Sequence, residues 1–237
     1  MSSPHFLVIS LGNPLPKYDT LHSAAHYVVK GLANALNQPP PREVRLGNLP
    51  SCNVSRGVRH TLIQSPVLMN VSGAFVSQVW RHFGKQQQQR SSSSPSPSSS
   101  LGLVLVHDEL ESAEGVVSVL SWSRSARGHR GVKDAQARVP PEVVRTSPFA
   151  RMAVGIGRPE ERDVSTVVNF VMSRIPKSFK TALEGPVASQ VACYLQMLED
   201  CWKTEVESGR RDPGLGWTES LTNKNNNNKK KKKKDNV

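Results

Sequence analysis

The chain has 237 residues and a formal net charge of +12 at pH 7. Two segments hold too little apolar side chain to form a core, and we expect both to be disordered: the Gln/Ser/Pro-rich residues 86–100 and the Asn/Lys-rich tail 208–237. The remainder, 1–207 without the insert, suffices for one domain. No apolar run is long enough to span a bilayer, so we expect no membrane partner.

About half of the positive charge lies in the tail, and the rest of the chain is moderately basic. This surplus fits either a polyanionic partner such as nucleic acid or an ordinary solvated surface. The three cysteines are scattered, without the spacing of a zinc site or a disulfide framework. With an N-terminus that lacks the pattern of a targeting peptide, they favour a cytoplasmic location, with the mitochondrion as the alternative.

Apolar patterning predicts the following elements in chain order: strand 6–11, helix 23–36, strands 54–58 and 61–64, helix 72–83, strands 101–106 and 116–120, helix 131–138, strand 152–157, and helices 164–172 and 178–205. Strands that alternate with helices indicate an α/β sheet covered on both faces. In such sheets the chemistry gathers beyond the strand ends, where loops converge.

Four polar residues stand after predicted buried strands or at predicted helix starts: Asn13, His22, Asn70 and Asp108. A histidine paired with a carboxylate makes a general base, and amide side chains can hold a polarised carbonyl. Because no GxSxG nucleophile motif occurs, water is the expected attacking group. Each residue taken singly is also typical of helix capping, turn formation or solvation.

Other motifs receive a structural interpretation. The GxxG at Gly128–Gly131 occurs commonly by chance, and Gly155-x-Gly157 lacks the third glycine of a dinucleotide loop. We expect the histidines at positions 5, 26, 60, 82 and 107 to be structural or exposed.

Five segments, in order, resemble the bacterial-type peptidyl-tRNA hydrolase family: Leu11–Pro14 (LGNP), Thr20–Ala24 (TLHSA), Leu68–Gly73 (LMNVSG), Val106–Leu110 (VHDEL) and Gly128–Asp134 (GHRGVKD). The resemblance runs from residue 7 to about 200. It implies a three-layer α/β/α fold with a mixed, mostly parallel twisted sheet, and a monomer. It also implies hydrolysis of the ester between a peptide, or an N-blocked aminoacyl group, and the 3′ end of tRNA, without metal or cofactor.

The resemblance assigns roles to matching residues. His22 is expected to activate water and Asp108 to orient His22, while Asn13 and Asn70 hold the peptide and the reacting carbonyl. Arg130 stands where the family usually has Asn, so it is expected to contact substrate, and its bulk could also fill the position of the water. In the family a basic residue usually occupies position 153, an Arg position 21 and an Asn position 23, whereas this chain has Ala153, Leu21 and Ser23.

These departures leave three functional hypotheses. The first is an active peptidyl-tRNA hydrolase. The second is a catalytically weakened protein on the same fold that binds tRNA or associates with the ribosome. The third is a hydrolase of small esters or amides, which the basic charge does not favour.

Overall fold

The computed structural model describes residues 4–92, 100–208 and 218. Its strands are β1 (His5–Ser10), β2 (Arg42–Val44), β3 (Cys52–Arg56), β4 (His60–Gln64), β5 (Leu101–Glu109), β6 (Val117–Ser121) and β7 (Phe149–Gly155). Its helices are α1 (Ala24–Ala35), α2 (Ser72–Ser92), α3 (Arg130–Arg138), α4 (Pro141–Thr146), α5 (Val164–Val171), α6 (Lys177–Ala182) and α7 (Ala188–Glu207). Two 3₁₀ turns, Leu21–Ser23 and Met69–Val71, precede α1 and α2.

The seven strands form one sheet in the order β2-β3-β4-β1-β5-β7-β6. The four strands β4, β1, β5 and β7 run parallel to one another. Antiparallel pairs complete the sheet at both edges, with β2 and β3 beyond β4 and with β6 beyond β7. The mixed, mostly parallel sheet expected from the sequence is confirmed.

Successive side chains of the central strands enter two separate cores. Phe6 and Val8 of β1 belong to the core that α1, α6 and α7 cover, whereas Leu7 and Ile9 belong to the core beneath α2, α3 and α4. Because both faces of β1 are buried, its sequence is a continuous apolar run without alternation. The expected three-layer architecture is therefore confirmed.

The helix α2 is longer than predicted. It extends to Ser92, so the expectation of disorder is wrong for residues 86–92, while residues 93–99 lie outside the described part of the chain. Glutamine is a good helix former, and the Gln86 side-chain amide donates to His82 Nε2 one turn earlier at 2.9 Å. Within the expected tail, only residues 208 and 218 are described, and the division of the chain at 207 stays a prediction.

Other boundaries also differ from the prediction. The edge strand β2 and the short helix α4 carry no periodic apolar pattern and were not predicted. β5 continues through Glu109 because β7 pairs with it as far as Gly155. A π-helical segment with Pro186 inside separates α6 from α7, since proline has no amide hydrogen to donate. No helix in the described ranges is both long and apolar enough to cross a membrane.

Candidate active site

Loops from several elements meet at one edge of the sheet. β1 and β5 are parallel neighbours, so their carboxyl ends lie side by side. Asp108, near the end of β5, is only 3 % exposed, and Asn13, shortly beyond β1, is also buried. The 3₁₀ turns before α1 and α2 carry His22 and Asn70.

His22 and Asp108 form a direct contact. The Nδ1 atom of His22 lies 3.0 Å from Oδ1 and 2.9 Å from Oδ2 of Asp108. A buried carboxylate accepts hydrogen bonds, so Nδ1 carries the hydrogen and Nε2 keeps a free lone pair. The His22 side chain is 19 % exposed, which leaves the ring open to water.

His22 and Asp108 shift each other's pKa, and each stabilises the charged form of the other. Burial alone would lower the pKa of His22, but the negative charge of Asp108 and the hydrogen bond to it raise that pKa above its ordinary value. Burial alone would likewise raise the pKa of Asp108, but the charges of His22 and His129 and their hydrogen bonds hold it well below its usual range. Asp108 is therefore ionised at neutral pH.

A second histidine, His129, shares the same carboxylate. Its Nε2 lies 3.0 Å from Asp108 Oδ1, and its Nδ1 accepts a hydrogen bond from the Val132 amide at 3.2 Å. His129 is thus the N-cap of α3, and its Nε2 carries the hydrogen donated to Asp108. No local pattern of the sequence points to a role for His129, and its place in the GHRG segment of the family resemblance is the available signal.

His107 packs behind this group, as a structural histidine. Its ring lies 5.0 Å from that of His129, measured between centroids, in an edge-on arrangement. Its Nδ1 donates to the main-chain carbonyl of Asp108 at 2.8 Å. Burial above all, with the nearby charges of His129 and Arg151, lowers the pKa of His107 to about 3, so the ring is neutral.

Asn13 connects the His22 turn to the Asn70 turn. Its main-chain amide donates to Ser23 Oγ at 2.9 Å, and its Oδ1 accepts from the amide of Met69 at 3.0 Å. Ser23, where the family usually has Asn, therefore holds the Asn13 backbone in place. Because Oδ1 is occupied, Nδ2 is the group of Asn13 left to donate to a substrate.

Asn70 is exposed on a turn that packs tightly against α3. A Cβ atom at Gly131 would lie 2.6 Å from Met69 Sδ and 2.7 Å from the Met69 carbonyl, so only glycine permits this approach. The amide of Gly73 also donates to Asp134 Oδ2 at 2.7 Å. The start of α2 is thus fixed to the helix that His129 caps.

The segment between β6 and α3, residues 122–129, is called here the His129 loop. Arg151 of β7 is 1 % exposed, and its guanidinium donates to the carbonyls of Ser121, Arg124 and Ser125. Gln136 of α3 donates to the Arg124 carbonyl at 3.0 Å. These bonds fix the loop that delivers His129 to Asp108.

Arg130 is exposed at the first position of α3. Its guanidinium makes no hydrogen bond or ion pair with His22, Asp108 or any other residue that the structure describes. The other departures from the family pattern, Leu21, Ser23 and Ala153, are buried.

His22, Asp108 and His129 offer three donor atoms that all lie within 4.8 Å of one another, a spacing that a metal ion could use. In this arrangement, however, both histidines donate hydrogen to the carboxylate, and His129 uses its other nitrogen as a helix cap. The hydrogen bonds thus already satisfy these groups. Chemically, the site combines an oriented histidine base with amide donors, as hydrolysis of a carbonyl compound by water requires.

Comparison with known proteins identifies the family. A family model described as peptidyl-tRNA hydrolase matches residues 7–211. The peptidyl-tRNA hydrolase of Leptothrix cholodnii is 30% identical over 195 residues, which cover 81% of this chain and 81% of the relative. The peptidyl-tRNA hydrolase of Azoarcus sp. (strain BH72) is 27% identical over 207 residues, which cover 87% of this chain and 84% of the relative. The crystal structure of peptidyl-tRNA hydrolase from Acinetobacter baumannii has the same fold, with a TM-score of 0.57 at 21% identity over 84% of this chain and 95% of that one. The chain belongs to the peptidyl-tRNA hydrolase family.

Proposed function

We propose that this protein hydrolyses the ester bond that links a peptide, or an N-blocked aminoacyl group, to the 3′ end of tRNA, and so recycles tRNA from aborted translation. The observation that carries the proposal is the contact of His22 Nδ1 with both oxygens of Asp108, which leaves Nε2 free. His22 Nε2 takes a proton from water, and the resulting hydroxide attacks the ester carbonyl. When the tetrahedral intermediate collapses, the protonated His22 returns the proton to the departing ribose oxygen.

Two amides hold the substrate in this mechanism. Asn13 donates from Nδ2 because Met69 occupies its oxygen. The exposed Asn70 lies on the turn to which Asn13 is bonded, so both side chains act on the same part of the substrate. Donors fixed before the reaction stabilise the developing oxyanion and the peptide amide next to it.

Exposed basic side chains beside the site provide positive charge for the phosphates of tRNA. Arg127, Arg130 and Lys133 follow one another along the end of the His129 loop and the first turn of α3, and none forms an ion pair within the described residues. Arg138, further along α3, is by contrast paired with Asp134 at 2.9 Å. We assign to Arg130 a contact with phosphate near the acceptor end, because an exposed guanidinium is a bidentate phosphate donor.

The alternative of a catalytically weakened binding protein is not favoured, because the His–Asp pair is complete and the family match spans most of the chain. Ribosome association, action as a monomer, and a cytoplasmic rather than mitochondrial location stay predictions from the sequence.

The direct experiment is hydrolysis of N-acetyl-aminoacyl-tRNA by purified protein. The wild type should release the acyl group, and His22→Ala should lower the rate by about 10²–10⁴-fold, as loss of a general base does. His82→Ala, on α2, is the matched control and should act like the wild type. An inert wild type, or a His22→Ala variant of undiminished activity, contradicts the proposal.

A further inference from the structure

Five exposed basic side chains lie on the side of the sheet that α2 covers. This surface is called here the α2 basic face, and it consists of Arg42 and Arg45 in and directly after β2, Arg56 at the end of β3, and Arg81 and Lys85 of α2. None of the five forms an ion pair or donates a side-chain hydrogen bond within the described ranges 4–92 and 100–208. Unpaired positive charges grouped in this way attract a polyanion.

The alternation of side chains along β2 and β3 keeps this face free of the nearest acid. Arg42 pairs with Val54, whose side chain belongs to the core beneath α2, and Arg56 follows on the same side of β3. The Arg56 guanidinium lies 5.6 Å from the centroid of the Phe83 ring of α2. Glu43 is the only acidic residue between positions 42 and 92, and it points to the opposite side of the sheet. This part of the chain therefore adds cations to the face and no carboxylate.

An open cavity of about 280 Å³ lies within the α2 basic face. Its wall is formed by Gln78, Arg81, His82 and Lys85 of α2 and by Leu46, Asn48 and Leu49 of the loop after β2. Leu46 and Leu49 are buried in the core, so the loop is fixed against the helix. Arg81 lies about 14 Å along the helix axis from Ser72, the first residue of α2. The cavity is smaller than the ~300–1,000 Å³ of a typical small-molecule site, and it suits one group of a larger partner.

The histidine of the cavity wall adds a hydrogen-bond donor to the cations. Gln86 Nε2 donates to His82 Nε2 at 2.9 Å, so the ring of His82 carries its hydrogen on Nδ1. A Cβ atom at Gly47 would lie 3.4 Å from that Nδ1, which places this nitrogen against the loop, and Nδ1 donates to no residue that the structure describes. With Arg81 and Lys85, this N–H forms a set of donors for phosphate oxygens.

The α2 basic face and the cations at the start of α3 lie on opposite flanks of α2. On one flank Trp80 packs against Phe149 of β7, and on the other Phe83 contacts Arg56 of β3. β7 and β3 lie on opposite sides of β1 in the sheet. The acceptor end of a tRNA at His22 therefore does not account for the α2 basic face.

We propose that the α2 basic face binds backbone phosphates of ribosomal RNA. The proposal goes beyond the proposed function, and it gives the ribosome association predicted from the sequence a location on the protein. Peptidyl-tRNA is made on the ribosome, whose exposed RNA presents rows of phosphates. One phosphate enters the cavity between Arg81 and Lys85, and Arg45 and Arg56 contact its neighbours along the strand.

The test measures binding of the full-length chain to purified ribosomes at several salt concentrations, without hydrolysis. Lys85→Glu should raise the Kd about tenfold and reduce the slope of log Kd against log salt by about 0.7–0.9, the share of one phosphate contact. Lys177→Glu is the matched control, since Lys177 is an exposed lysine at the start of α6, on the other side of the sheet, and it should change the Kd little. Both variants should keep the unfolding midpoint of the wild type and its Kd for N-acetyl-aminoacyl-tRNA.

A photocrosslinking residue separates RNA from protein as the partner. With p-benzoylphenylalanine in place of Gln78, which is exposed on the cavity wall, the chain should attach to ribosomal RNA. Attachment to a ribosomal protein would overturn the proposal and make the face a protein-docking surface.

The binding measurements can also overturn the proposal. A wild type that does not bind ribosomes, a Lys85→Glu variant that binds like the wild type, or equal weakening in Lys85→Glu and Lys177→Glu would each do so. If Lys85→Glu weakens the binding of N-acetyl-aminoacyl-tRNA as much as that of ribosomes, the face belongs to the substrate instead. An absence of hydrolysis would leave these results unchanged and count against the proposed function alone.

Discussion

Asp108 accepts hydrogen bonds from two histidines, and the two donors have different surroundings. His22 is partly exposed and keeps its second nitrogen free, whereas His129 uses its second nitrogen to cap α3. Only His22 can therefore take a proton from water. We therefore propose that His129 acts on the reaction through Asp108, as a positioning residue.

Two substitutions separate the two contacts of His129. Asparagine is a good N-cap but is too short to keep the bond to Asp108, whereas alanine loses both contacts. We expect both variants to lower kcat by about 10-fold or more, since a hydrogen bond to a charged group contributes about 1.5–3 kcal/mol. Only His129→Ala should lose a further ~1 kcal/mol of unfolding free energy. Kinetics and denaturant unfolding check this, and a fully active His129→Asn variant would contradict it.

The sequence indicated some of these residues and not others, for physical reasons. Asp108 and Asn13 stand next to long apolar runs, so the sheet edge could be predicted to collect them. His129 and Arg151 depend on contacts between elements distant in sequence, and such contacts leave no local pattern. Arg151 in particular is a lone charge in a buried strand whose partners are main-chain carbonyls.

At the scale of elements, the sheet holds the His129 loop by hydrogen bonds and by the packing of Trp122 against Phe149 of β7. Arg151 reaches from β7 and Gln136 from α3 to carbonyls of the same loop. Gly128 adopts a φ of 87° at the end of the loop, a conformation that glycine readily adopts. The position of His129 therefore depends on both neighbouring elements.

Removal of Arg151 should act through His129. Arg151→Met removes the hydrogen bonds from the guanidinium to the carbonyls of Ser121, Arg124 and Ser125, and this loosens the loop although Gln136 still donates to the Arg124 carbonyl. In a double-mutant cycle, the loss of kcat/KM caused by Arg151→Met should largely disappear in the His129→Ala background. Gln136→Leu should show the same coupling to a smaller degree. If the losses of kcat/KM in the two single variants instead multiply in the double variant, Arg151 does not act through His129.

Some boundaries of helices and strands cannot be predicted from the local sequence pattern. The 86–92 stretch has no apolar residue, yet it continues α2. Glutamine has a high helix propensity, and residues add readily to a helix that has already formed, so the extension needs no contact with the core. The edge strand β2 forms because β3 pairs with it, although Arg42 and Glu43 are exposed. The central strands were predictable because burial on both faces imposes apolar runs.

For the molecule as a whole, three exposed positive charges of the folded part lie near the site. Arg127, Arg130 and Lys133 are exposed along one loop and helix turn beside His129. The buried Leu21 and Ala153 contribute no cation. In the proposed function, this surface attracts the phosphates at the acceptor end of tRNA.

Arg130→Ala tests that surface. It should weaken tRNA binding and reduce the slope of log Kd against log salt by about 0.7–0.9, the share of one phosphate contact. The paired Arg138→Ala is the control and should change the slope less. If Arg130→Asn instead raises kcat more than tenfold with an unchanged slope, the side chain obstructs the water rather than binding phosphate.

The central claim is that His22 acts as the base while Asp108 holds its pKa above the ordinary value. The most direct measurement is the pH dependence of kcat/KM for N-acetyl-aminoacyl-tRNA. A base must be unprotonated, so activity should rise with pH through an apparent pKa above about 6.5. In Asp108→Asn, burial acts on His22 without the carboxylate, so this rise should move to lower pH while the rate falls by about 10²–10⁴-fold. An unshifted profile in Asp108→Asn, or a wild-type profile without an acid limb, would contradict the account.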